Sequence, residues 1–303
     1  MNAFDIVLGP MAYGFMQRGL VATLLVGIVC AVVGSFVVLR GLAFIGDAVS
    51  HAAFPGLVIA YMLGLPLYLG ATVTAVATAL GISYVSRRGG LRFDTAVGVL
   101  FAGMFAFGIA LFSSIHGYVA DLFGYLLGNV LGITTVDIVQ LTILGGVVLA
   151  IVGVLRKELL YASFDRNAAA ASGLPVDRLD ELLLVLIGVT VVVSIQAVGI
   201  IMVVAMLVTP AATGQLLAHR FWDLVRIAIT VSVVAAVSGL YLSYYLDVAS
   251  GAAIVLVESA IFAVALLAST RARGLGQGVP ACARRSRSRS SRRSWASSGT
   301  PSP

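Results

Sequence analysis

Nine stretches of the chain, near residues 19–40, 48–64, 66–86, 95–115, 138–155, 180–197, 199–218, 224–246 and 252–269, are almost wholly apolar. Each has about the ~17 to 25 residues that an α-helix needs to cross the hydrocarbon of a bilayer. Such a chain has little choice of fold. Within lipid every backbone N–H and C=O must be satisfied inside its own segment, which leaves helices or a closed barrel, and runs of this length are too long for barrel strands. The composition agrees: 60% of residues are hydrophobic and 11% charged, with a mean hydropathy of +1.07, against a charged share of roughly 25% in soluble domains. The sequence therefore reads as an all-α polytopic membrane protein with eight or nine transmembrane helices. The count turns on where "IQAVGIIMVVAM" is cut, near Gly199, and on a short helix beginning at Asp47.

The formal charge of +6 does not point to nucleic acid. Residues 271–303 hold eight arginines and no acid, leaving 11 basic against 13 acidic side chains in residues 1–270. The chain divides into a membrane domain, 1–270, and a Ser/Arg-rich tail, 271–303, with almost nothing apolar to bury and an expectation of disorder. Arginines gather at Arg87, Arg88 and Arg92, between Arg156 and Arg178, at Arg220 and Arg226, and after Arg271. The positive-inside rule places these connections and the tail in the cytoplasm. The connections "SSIHGYVADLFGYLLGNVLGITTVD" and "YYLDVASG" carry neither Lys nor Arg and belong outside. Arg18 and Arg40 flank the first span at both ends, so charge alone does not orient it. The N-terminus lacks the pattern of a cleaved signal peptide. Cys30 and Cys282 cannot build a disulfide framework or a Cys-x-x-Cys metal site.

Within this apolar chain, "RGLAFIGDAVSHAAFPGLVIAY" (40–61) places an acid and a histidine four residues apart. Residues i and i+4 share a helical face, so Asp47 and His51 can grip one cation or each other. An ionisable side chain in the membrane costs about 2.5–3.5 kcal/mol on insertion scales and normally faces a cavity in which it acts. A carboxylate and an imidazole suit Zn²⁺, Mn²⁺ or Fe²⁺ without closing a four-ligand site, which favours passage over storage. The plain structural alternative is that Asp47 caps a helix and His51 bonds a backbone carbonyl.

A second stretch, "FDRNAAAASGLPVDRLDE" (164–181), lies in the longest cytoplasmic connection. Asp165 can cap a short helix, the small side chains around Ala168 favour it, and Gly173, Leu174 and Pro175 supply its stop. A small, smooth, exposed helix of this kind suits another protein's groove.

Together with "VGIIMVVAMLVTPAAT", these two stretches resemble the permease subunit of metal-ion ABC importers of the zinc and manganese uptake type (ABC-3), over roughly residues 15–270. The resemblance implies the ABC importer permease fold, a second copy of the chain, a cytoplasmic ATPase pair engaged by the short helix through Asp165, Ala168, Gly173, Leu174 and Pro175, and an extracytoplasmic metal-binding protein. It also implies a metal path through Asp47 and His51, residence in the plasma membrane of a prokaryote, and no permanently bound cofactor. Independently, Lys157 is the sole lysine of the chain and follows Arg156, so there is no G-x-x-x-x-G-K-[ST] phosphate loop. ATP hydrolysis must then reside on another polypeptide, and the chain itself is not an enzyme.

Other candidates carry less. Pro210 interrupts an apolar helix and is a candidate gating hinge, with Thr209 and Thr213 able to satisfy the backbone locally. Glu258 is an intramembrane acid where the family usually has a small or apolar residue, and is expected to play a minor or neutral role. His116 and Asp121 read as a solvated outer loop, and His219 as a residue at a cytoplasmic helix end. An ion-gradient-driven secondary transporter would show inverted repeats, but "GDAVSH" has no second copy. An uncoupled channel would have no use for the "AAAASGLP" helix.

Overall fold

The computed structural model describes residues 9–115, 130–200 and 202–276. Its centre is α1 (Gly14–Leu39), apolar on every side. A helix without a polar face is buried in protein or lipid. Here protein buries it: Met16, Ala22, Val26, Cys30, Val33 and Val37 are inaccessible. The helices packed around it are α6 (Thr135–Val154), α9 (Val176–Val198), α10 (Val203–Leu217) and α11 (Phe221–Leu246). The last helix, α12 (Ser250–Gly276), closes against α10 and α11.

The second span departs from expectation. It begins at Ala43, with Leu42 before it, and runs as two ten-residue helices, α2 (Ala43–Ala52) and α3 (Phe54–Leu63). Pro55 explains the interruption, because its ring has no N–H to offer and crowds the carbonyl four residues earlier, that of His51. Ala53 between the helices keeps helical dihedrals, so the chain pauses without turning back. Asp47 therefore lies in the interior of α2, and the short helix expected to start there starts four residues earlier.

Outside this span lie α4 (Leu67–Arg88) and α5 (Phe93–Ser113). α3 and α4 approach backbone to backbone: a Cβ added to Gly56 would strike the carbonyl of Gly70, and one added to Gly70 would strike that of Gly56. Small residues permit such crossings where packing, rather than the hydrophobic effect, holds helices together.

All nine expected spans are helical. Among the described residues seven helical segments are long and apolar enough to cross a membrane. The other two are α9, with 23 residues, and the shorter α10, with 15. On the arginine-rich face, α6 and α9 are joined through α7 (Arg156–Phe164) and α8 (Arg166–Ala171). Arg40, at the end of α1, reaches Asp180 at 2.6 Å and Ser163 at 2.7 Å. The end of α1 thus lies on the arginine-rich face, and its beginning on the opposite one.

Candidate functional site

α2 holds Asp47 and His51 on one face, as their spacing requires. His51 Nε2 stands 3.5 Å from Asp47 Oδ1, with the histidine side chain 22% exposed and the aspartate 50%. That gap is too long for a good hydrogen bond, so both groups keep ligating capacity. Neither part of the structural alternative is present. Asp47 is no cap, since the helix starts at Ala43, and the other imidazole nitrogen, Nδ1, is buried without a hydrogen-bond partner. The ring is held by α5, where Phe101 and Phe105 meet it edge-on at centroid distances of 5.3 and 4.9 Å. Phe101 and Phe105 are themselves stacked.

Asp47 opens on a cavity of ≈ 350 Å³ shared with Phe44, Ala48, Asp94, Val97, Gly98 and Phe101. Sequence reasoning missed Asp94 and the two phenylalanines. Asp94 reads locally as an acid in the first turn of a helix, and only the packing of α2 on α5 brings it to the same cavity. The chemistry available is that of two adjacent ligands on one ion. Ligand bonds of about 2.1 Å at tetrahedral or octahedral angles separate their donor atoms by about 3.0–3.4 Å, close to the observed gap. Among the described residues no group of three or more His, Cys, Asp or Glu converges on one point.

The expected cytoplasmic helix is α8, six residues long. The Asp165 carboxylate accepts from the backbone N–H of Asn167 at 3.0 Å and of Ala168 at 2.9 Å, which makes it the N-cap. Gly173 adopts φ +85°, the left-handed conformation that ends helices and that other residues resist. The Gly173 and Leu174 amides bond back to the carbonyls of Ala170 and Ala169, and Pro175 leads into α9. Asn167, Ala170, Ala171 and Ser172 are exposed.

An ionic network that the sequence did not suggest surrounds this helix. Arg166 pairs with Asp177 at 2.8 Å and Asp180 at 3.2 Å, and Arg87 with Asp177 at 3.2 Å and Glu181 at 3.5 Å. Asp180 also holds Arg40.

Pro210 lies inside α10 and is buried. The Thr213 hydroxyl donates to the Thr209 carbonyl at 2.8 Å, so it does not serve the carbonyl of Met206, which the proline leaves without its usual donor. Glu258 is fully buried, with no hydrogen-bond partner for either oxygen. Cys30 lies 3.0 Å from the Ser194 hydroxyl. His219 is exposed just beyond the end of α10. His116, Asp121, Cys282 and most of the tail lie outside the described residues.

Residues 12–269 match the model of the ABC 3 transport family. The manganese transport system membrane protein MntC of Halalkalibacterium halodurans is 44% identical over 261 residues, 86% of this chain and 89% of that protein. The chelated iron transport system membrane protein YfeD of Yersinia pestis is 40% identical over 264 residues, 87% of this chain and 89% of that one. Among solved structures, PsaBC from Streptococcus pneumoniae in complex with Fab superposes with a TM-score of 0.79 at 35% identity, covering 87% of this chain and 95% of that chain. With the family model running from before α1 into α12, this chain is a membrane permease of the ABC 3 transport family.

Proposed function

We propose that the chain is the transmembrane subunit of an ATP-driven importer that passes a divalent transition-metal ion from an extracytoplasmic binding protein into the cytoplasm of a prokaryote. The observation that carries this reading is the Asp47/His51 pair: two ligands at a two-ligand separation in an otherwise apolar span, with Asp47 opening on a cavity. Manganese is the first candidate and iron the second, after the relatives' names; zinc remains compatible with an Asp/His pair. Two copies of the chain, facing each other, supply two carboxylates and two imidazoles. An ion held by one pair at a time is bound weakly enough to leave.

Energy enters from a separate ATPase pair, because this chain has no phosphate loop in its sequence. Its contact is α8, whose cap, small exposed side chains and glycine stop give a compact projection on the arginine-rich face. No resident cofactor is required. Pro210 is the candidate hinge for gating.

The test is reconstitution of the permease with its ATPase and binding protein in vesicles, followed by manganese uptake. Uptake that requires ATP and the binding protein supports the reading. Uptake that persists undiminished without ATP, driven by an ion gradient or by none, overturns it in favour of a secondary transporter or an uncoupled channel.

A further inference from the structure

The cytoplasmic ends of four helices meet at one carboxylate. Asp180, in the second turn of α9, gives Oδ1 to Arg40 Nη1 at 2.6 Å and Oδ2 to Arg166 Nη2 at 3.2 Å, with Arg87 Nη2 at 3.9 Å. Arg166 is the first residue of α8. Arg40 ends α1, and Gly41, at φ +68°, turns the chain directly into α2, which carries Asp47 and His51. One side chain therefore stands between the helix read as the ATPase contact and the element read as the metal site.

The surroundings suit transmission of movement. Side-chain exposures of 11% for Arg40 and 22% for Asp180 keep the pair from the screening that weakens surface ion pairs. The three cations Arg40, Arg87 and Arg166 face the three anions Asp177, Asp180 and Glu181, and the Ser163 hydroxyl accepts from Arg40 Nε at 2.7 Å. The network borders a cavity of ≈ 460 Å³ lined by Arg40, Arg87, Ser163, Arg166 and Asp180 together with apolar neighbours. Arg40 Nη2 is buried without a partner. A guanidinium with an unused donor beside open space has a second arrangement within reach, as a switching element requires.

We propose that Asp180 is the positioning residue through which displacement of α8 reaches Asp47 and His51, by way of Arg40 and the Gly41 turn. This rests on the reading of the chain as an ATP-driven permease. When α8 moves with its ATPase, Arg166 draws on Asp180, Asp180 releases or drags Arg40, and the start of α2 follows.

The experiment uses the reconstituted complex and reads manganese ions taken up per ATP hydrolysed, along with ATPase copurification and thermal stability. Asp180→Asn is expected to leave assembly and hydrolysis near wild type while uptake per ATP falls about tenfold. Asp180→Glu, which keeps the charge facing Arg40 and Arg166, is expected to recover most of the ratio. Glu181→Gln, which pairs with Arg87 at the rim, should leave it unchanged. An unaltered ratio in Asp180→Asn, even with lowered thermal stability, reduces the network to a staple and overturns the proposal. So does a lowered ratio that Asp180→Glu does not recover. If the wild-type complex itself takes up manganese without ATP, the functional reading fails first and the relay with it.

Discussion

Replacing Asp47 by asparagine keeps size and helix geometry and removes one charge. Its side chain is half exposed, so the dielectric of water gives a conservative lower limit for what the charge contributes. At about 2.1 Å from a divalent ion, a unit charge contributes about 4 kcal/mol at ε ≈ 80, nearly a thousandfold in affinity at about 1.4 kcal/mol per tenfold. The amide oxygen remains a weak ligand and recovers part of this, so uptake at sub-saturating metal is expected to fall about a hundredfold. Because Asp47 is interior to α2 and caps nothing, protein level, membrane insertion and ATPase binding should persist. The assay is initial-rate manganese uptake in vesicles containing binding protein, ATPase and ATP, across metal concentrations. His51→Ala should behave alike, and His51→Gln should not rescue it, since an amide is a poor ligand for these metals. Wild-type uptake by Asp47→Asn would refute the metal-path assignment.

Gly173→Arg places a bulky cation at a positive-φ helix stop, and is expected to reduce ATPase copurification while membrane insertion remains, as an affinity pull-down would read; full assembly with normal transport would remove α8 from the coupling role. Gly56→Val must push α3 away from the Gly70 carbonyl and should lower the melting temperature in detergent by several degrees, consistent with about 1–3 kcal/mol for overpacking. Glu258→Leu replaces a buried, partnerless carboxyl by an apolar side chain and should leave uptake unchanged while raising thermal stability; loss of uptake would give Glu258 a role in transport.

Much of this protein is decided by local composition. Apolar runs of bilayer length can only be helices, so the helical segments and the i,i+4 face shared by Asp47 and His51 were legible without a fold, although among the described residues seven helical segments, against the eight or nine expected, are long and apolar enough to cross a membrane. The cap at Asp165 and the stop at Gly173 were legible too, because capping depends on a few neighbouring residues and their φ angles. The start of α2 was misplaced for the same reason in reverse: nothing in "RGLAFIGD" marks a helix start by a capping side chain, and the helix begins at Ala43 because the Gly41 turn and packing of α2 allow it. What tertiary structure alone decided is which distant residues meet. Asp94, Phe101 and Phe105 reach the Asp47/His51 pair only because α5 lies against α2, and Arg40 reaches Asp180, 140 positions later, only because α1 and α9 end on the same face. Pairings across such separations depend on how helices pack, and packing among small and apolar side chains leaves no periodic signature in either partner.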